Sequence, residues 1–230
     1  MHDRPDGITR VMVNGVPSST IQSDPEYLEF SYMRDIAGAI SAWEPPEKLL
    51  AVHLGGAACT LPRYLCHRYP SSRHVVVEVD AELARLARQW QDLPRAPQLR
   101  IRVGDALEVM KSRHDDSADV IVRDAFVKAA TPPHLTGEDF WSHARRVTRG
   151  SGIVTANIAV NPGEDDARVD ARTAAAHFRM TVAIGHPLAV KGSRRGNVVL
   201  IAGDNVAVGA LERYASRAAE PTIVVPRWGK

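Results

Sequence analysis

Four carboxylates stand at or just beyond the ends of short apolar runs: Glu78 and Asp80 in VVVEVD, Asp105 in IRVGDA and Asp124 in VIVRDA. A carboxylate held at a strand end can accept both hydroxyls of a ribose, receive a hydrogen bond from a base amino group, or take a proton from a nucleophile. Glu78 sits inside an otherwise apolar segment, where an unpaired charge would be costly. Ahead of these acids, the run LLAVHL ends in Gly55 and Gly56, a pair that lets backbone turn sharply and approach a ligand, with the free N–H groups of a following helix aimed at it. Val79 lies between the two acids, and Gly104 and Ala106 flank Asp105. Together they suit a nucleoside more than a dinucleotide, because GGAAC lacks the three-glycine spacing of the dinucleotide fingerprint. The competing reading is an ordinary turn followed by two solvated carboxylates.

The elements that must carry these residues follow the order of a doubly wound α/β chain. Strand Leu49–Leu54, a helix over the two cysteines, strand Val75–Val79, helix Ala81–Trp90, strand Gln98–Val103, helix LEVMK and strand Ala118–Val122 bring the acids to one edge. The segment from Ala125 to Gly137 is long for such a connection and contains Pro132-Pro133, as lids do. Helix Glu138–Val147, strand Gly152–Ala159 and a helix over Ala167–Phe178 come next. Strands Thr181–Val190 and Val198–Ala202 are joined by KGSRRGN, too short for anything but an antiparallel pair. A last helix over Val208–Ala219 and the tail PTIVVPRWGK pack outside. The expected architecture is α/β: a Rossmann-like class I methyltransferase fold with a mostly parallel seven-stranded sheet and an antiparallel last hairpin.

Residues 1–24 form an appendage in which RVMV and VPSSTI flank Asn14-Gly15, the dipeptide that most favours a tight hairpin. Residues 25–230 form the main domain. Asp24-Pro25 reads as the start of a helix carrying Leu28, Tyr32, Ile36 and Ile40 on one stripe.

A chain of 230 residues suits one such domain, and a net charge of +2 without a basic block gives no indication of nucleic acid. Cys59 and Cys66 lie on one helix with roughly 10 Å of rise between them, beyond disulfide reach. Free thiols, a polar N-terminus and the lack of a long apolar run point to the cytoplasm and away from membranes. No His, Cys and carboxylate group has metal-ligand spacing, so no metal is expected.

With these stations in order, the chain resembles the polyamine aminopropyltransferases typified by spermidine synthase. The resemblance rests on the NG hairpin, EFSYM from Glu29 to Met33, the glycine turn ending in Thr60-Leu61, VEVD, GDA and VIVRDAF. It implies a homodimer whose cosubstrate is S-adenosylmethionine or its decarboxylated form, held by Gly55, Gly56, Ala57, Glu78, Val79, Asp80, Gly104, Asp105, Ala106 and Asp124. Either acid of VEVD would hold the ribose and Asp105 would lie by the adenine amino group. Asp124 would be catalytic, orienting the amine acceptor or taking its proton, with Tyr32, Ser18 and Val127 on the substrate side. Ala57 and Val127 stand where the family places aspartates for its cationic substrates, and Ser18 stands at a glutamine station. Each such charge-assisted bond contributes about 1.5 to 3 kcal/mol, so the ordinary putrescine acceptor is not implied. The rival functions are methyl transfer to a small molecule on the same fold and a non-catalytic nucleoside-binding or assembly role.

Several residues have plain readings beside the sharp ones. Asp124 can cap the following loop and Tyr32 can simply pack. His53 reads as a core histidine, His134 as a lid or solvated residue, and Arg123 as the partner of an acid or of a substrate carboxylate. Trp90 and Trp141 read as core or interface aromatics, and Asn157 and Asn161 as residues at the end of the fifth strand with a possible place in the site.

Overall fold

Short apolar runs rich in β-branched residues become the centre of an eight-stranded sheet in the computed structural model, which describes all residues except 1, 4–6, 14, 57, 128–129 and 230, and the side chains of 2 and 3. The central strands are β4 (Leu50–Leu54), β5 (Arg73–Glu78), β6 (Leu99–Val103), β7 (Ala118–Arg123) and β8 (Thr148–Val160). They pair in parallel, and β7 is buried along its whole length, as a strand covered on both faces must be. β10 (Gly196–Gly203) runs antiparallel between β8 and β9 (Met180–Gly185). The order is β11-β9-β10-β8-β7-β4-β5-β6, the class I methyltransferase-like sheet with one strand added.

That added strand, β11 (Ile223–Pro226), corrects the expectation that the tail packs outside a seven-stranded sheet. Its β-branched Ile-Val-Val run completes the edge of β9, and Pro226 is tolerated because an edge strand has an unpaired side. The buried Trp228 then anchors the chain end, its Nε1 donating to the Val190 carbonyl at 3.0 Å. The strand expected over Thr181–Val190 also ends early. At Pro187 the chain enters a short helix, α7 (Pro187–Val190), because proline fits the first helical turn and His186 Nδ1 accepts the Leu188 N–H at 3.2 Å.

Helices cover both faces. α4 (Ala106–Lys111), α5 (Glu138–Val147) and α6 (Asp166–His177) enclose a core with Met110, Phe140, Trp141 and Ala171. α1 (Ser31–Ala42), α2 (Thr60–Arg68) and α8 (Val208–Ala215) enclose the other, with Ile36, Ile40, Leu61, Leu65 and Leu211. α3 (Ala81–Trp90) buries Leu83, Ala84 and Ala87. The helix expected from Asp24-Pro25 starts only at Ser31. Asp24 Oδ1 instead accepts the Glu26 N–H at 2.8 Å, a local side-chain turn that competes with helix.

Arg123 resolves into a structural role. Fully buried at the end of β7, it forks onto Asp170 of α6, donates to the Leu135 carbonyl at 2.6 Å and lies over the rings of Phe140 and Trp141. Trp141 Nε1 donates to the same Asp170 at 2.7 Å, so that tryptophan is a core residue.

At the N-terminus, β2 (Thr9–Val13) and β3 (Val16–Ile21) form the expected hairpin, joined by β1 (His2–Asp3) into a small antiparallel sheet; Asn14 of its turn lies outside the described residues. The hairpin is fastened to the start of α2: Thr60 Oγ1 meets Ser19 Oγ at 2.8 Å and donates to the Thr20 carbonyl at 2.8 Å. No helix among the described residues is long and apolar enough to cross a membrane.

Candidate active site

Strand order reverses where β4 meets β7, and in an open α/β sheet such a reversal leaves a crevice at the carboxyl ends of the strands. A cavity of about 500 Å³ opens there, lined by Gly55, Gly56, Glu78, Val79, Gly104, Asp105, Ala106 and Asp124, and on the other side by the hairpin, Tyr32, Phe126 and Val127. Three of the four acids therefore do converge.

Glu78 is aimed by backbone. Its Oε2 accepts the Gly56 N–H at 3.2 Å and its Oε1 the Asp80 N–H at 3.1 Å, which answers the cost of placing a carboxylate inside an apolar strand. Asp80 behaves differently and does not line the cavity. Its Oδ1 accepts the N–H groups of Glu82 and Leu83 at 2.9 and 3.0 Å, the N-cap of α3. Of the two candidates in VEVD, Glu78 is the one that faces the cavity.

Asp105 does both jobs. Oδ1 caps α4 through Leu107 and Glu108 at 2.9 and 3.0 Å, while Oδ2 meets His134 Nε2 at 2.9 Å. Partial burial opposes its ionisation, yet the amides and His134 prevail and hold the carboxyl below its usual range. His134 lines the cavity beside Asp105 and is largely exposed. It rides on the 3₁₀ turn Pro133–Leu135, whose Leu135 carbonyl is held from beneath by Arg123.

Asp124 sits at the middle of the crevice, one residue beyond β7. Asn157 Nδ2 donates to its Oδ1 at 2.8 Å, Asn197 Nδ2 donates to Asn157 Oδ1 at 2.9 Å, and the Tyr32 hydroxyl adjoins the carboxylate. Burial pushes the Asp124 carboxyl up to about 6, against the pull of the Asn157 and Tyr32 bonds. Burial and the adjacent Asp124 charge hold the Tyr32 phenol well above its usual value, so it remains a donor. Among the described residues Asp124 caps no loop; it is a half-buried carboxylate on the cavity wall beside Asn157 and Tyr32.

The glycine pair has a second function besides letting ligand approach. Gly55 has φ +86, and a Cβ there would overlap the Asp124 carbonyl, while one at Gly56 would overlap Val76. Glycine thereby fixes the backbone that carries the base. The first turn of α2 reaches the cavity through Leu61 and Pro62. α2 starts at Thr60, past Cys59 in the left-handed region (φ 61), its third residue is Pro62, which has no N–H, and the hairpin covers its first turn. Both cysteines are buried and free, with burial raising each thiol to about 12, which removes them as nucleophiles.

Ser18 and Val127 line the cavity as expected, Val127 with 57% of its surface exposed. Ala57 lies outside the described residues. His53 is a core histidine whose Nε2 meets His74 Nδ1 at 3.0 Å, and burial holds both rings below their usual values. Asn161 turns away to Glu164 at 2.7 Å. Asn197 and Arg195 line the cavity without having been anticipated. The sequence signal for them was the antiparallel register, which pairs Asn197 with Ala159 next to Asn157's end of β8.

No protein-family model matches the sequence. A probable spermidine synthase from Corynebacterium glutamicum ATCC 13032 superimposes with a TM-score of 0.87 at 38% identity, covering 94% of this chain and 81% of that one. A polyamine aminopropyltransferase of Vibrio vulnificus (strain CMCP6) is 28% identical over 130 residues, which is 56% of this chain and 43% of that relative. The chain therefore matches less than half the length of that curated relative. Human methyltransferase-like protein 13 in complex with SAH shares the fold, with a TM-score of 0.63 at 16% identity over 81% of this chain and 93% of that one. With identity of this order sustained along the C. glutamicum structure, and with Glu78, Asp105 and Asp124 gathered in one crevice, the chain belongs to the polyamine aminopropyltransferase family typified by spermidine synthase.

Proposed function

We propose that this protein is a transferase that moves an aminopropyl or related alkyl group from an S-adenosylmethionine-type sulfonium to an amine. The observation that carries the reading is Asp124, a half-buried carboxylate raised to about 6, set between the nucleoside-facing acids Glu78 and Asp105 and an open half-site. In this reading Glu78 accepts the ribose hydroxyls and Asp105 faces the adenine edge.

An alkylammonium has a pKa near 10 and no lone pair at neutral pH. Asp124 draws the cation in and removes one proton; near pH 7 its raised carboxyl is still mostly ionised and is a stronger base than an ordinary aspartate. The freed nitrogen lone pair forms a bond to the carbon beside the sulfonium. The C–S bond breaks with its electron pair moving to sulfur, and a neutral thioether leaves. Tyr32 and Asn157 keep the carboxylate aimed, so much of the acceleration comes from alignment of the two reactants.

Thioether release is the test: incubation with the decarboxylated and intact nucleosides and a panel of amines, with Asp124→Asn as control. The reading expects turnover with the decarboxylated donor and a loss of about 10²- to 10⁴-fold in the variant. Methyl transfer is supported by the fold shared with human methyltransferase-like protein 13. Calorimetry that shows preference for the intact nucleoside would replace aminopropyl transfer by that second reading.

A further inference from the structure

The half of the cavity beyond Asp124 has a charge pattern opposite to what a diamine needs. Among the described residues lining the cavity, the carboxylates are Glu78, Asp105 and Asp124, and none of them comes from β8, β10 or the hairpin. That side offers the amides of Asn157 and Asn197, apolar surface such as Val127, and Arg195 in the connection before β10. Arg195 has neither a hydrogen bond nor an ion pair with any described residue. Among the described residues, the other basic groups lining the cavity, His53 and His134, are engaged by His74 and Asp105.

We infer that the acceptor is an amine bearing an anionic group at its far end, with the nucleophilic nitrogen at Asp124 and the anion on the Arg195 guanidinium. The inference rests on the transferase reading above and specifies its substrate class. β10 lies two strands from β7, roughly 10 Å across the sheet, so one molecule of modest length can meet both residues. A guanidinium presents a planar fork that matches a carboxylate, and it would repel the second ammonium of a diamine. It sits on the side away from Glu78, so the group it recognises belongs to the acceptor.

The probes are 4-aminobutanoate and 6-aminohexanoate against 1,4-diaminobutane and 1,6-diaminohexane, each with both nucleoside donors, measured by thioether release. The expected result is at least a tenfold lower KM for the aminocarboxylates. Arg195→Ala, which removes no bond within the chain, should raise that KM at least tenfold and change kcat by less than threefold. Turnover that favours the diamines, or an Arg195→Ala enzyme that keeps the wild-type KM, overturns the inference while leaving the transferase reading intact. Absence of thioether with every pair overturns the transferase reading. The acceptor class is then judged by calorimetry with S-adenosylhomocysteine present: aminocarboxylate binding that Arg195→Ala weakens tenfold upholds it, and no binding removes it.

Discussion

Replacing Asp124 by Asn should stabilise the protein at neutral pH while abolishing transfer. The folded state raises this carboxyl from 3.8 to about 6, chiefly by burial. Because the folded value lies above the unfolded one, folding takes up a proton between about pH 4 and 6. Above that window the ionised carboxylate destabilises the native state, and below it both states are protonated and the penalty vanishes. The shift corresponds to about 3 kcal/mol, reduced by solvent in the open cavity, so the expected gain is about 1 to 3 kcal/mol. The substitution keeps the local bonding. An amide oxygen still accepts Asn157 Nδ2, now at 2.8 Å from Asp124, and the amide nitrogen can donate to Tyr32, whose hydroxyl also accepts. Thermal unfolding of both proteins from pH 4.5 to 8 should show the variant's melting temperature higher by roughly 2 to 10 °C above pH 7. The gap should close toward pH 4.5. A variant that is less stable at pH 7.5, or a gap that does not change with pH, would refute the view that burial sets this carboxyl.

Three further outcomes follow from packing. Gly55→Ala combines φ +86 with overlap on the Asp124 carbonyl, so urea unfolding should show a loss of at least about 2 kcal/mol, with nucleoside affinity reduced at least tenfold by calorimetry. Arg123→Met strands the buried Asp170 carboxylate and should cost about 3 to 5 kcal/mol in the same assay, whereas Arg123→Met with Asp170→Asn should cost less than that single change. At Gly38, helix propensity alone predicts that alanine gains up to about 1 kcal/mol. Its Cβ would overlap the Tyr214 ring, which packs α8 onto α1 and donates to Asp35 at 3.0 Å. The expected sign is therefore a loss of about 1 to 3 kcal/mol.

The side of the cavity that carries Glu78, Asp105 and Asp124 was legible because each of these residues is fixed by its own strand end. VVVEVD, GDA and VIVRDA place their acids at the carboxyl edge wherever a parallel sheet forms, and the order of the elements left little choice of sheet. What the pattern could not do was separate Glu78 from Asp80. Both lie at the end of β5, and only the entry of the chain into α3 decides that Asp80 is used as its cap. The same limit explains the misplaced start of α1, since Asp24-Pro25 is as good a turn as it is a helix start. β11 was missed because four residues of edge strand carry no alternation long enough to read.

The opposite side of the cavity, with Asn157 and Asn197, is a product of register, which one strand's sequence does not contain. Asn157 reaches Asp124 because β8 runs parallel to β7 with Arg123 opposite Ala156, and Asn197 reaches Asn157 because β10 runs the other way with Asn197 opposite Ala159. The base is thus aimed by two strands far apart in the chain, and by Tyr32 from α1 on its other side. A shift of one residue in the β7–β8 pairing would turn Asn157 to the opposite face of the sheet and leave Asp124 with one donor fewer. Its carboxyl would then rise further. The register of the parallel β7–β8 pair therefore bears on the chemistry as well as on the sheet: it decides whether Asp124 keeps the Asn157 donor, which favours its ionised form.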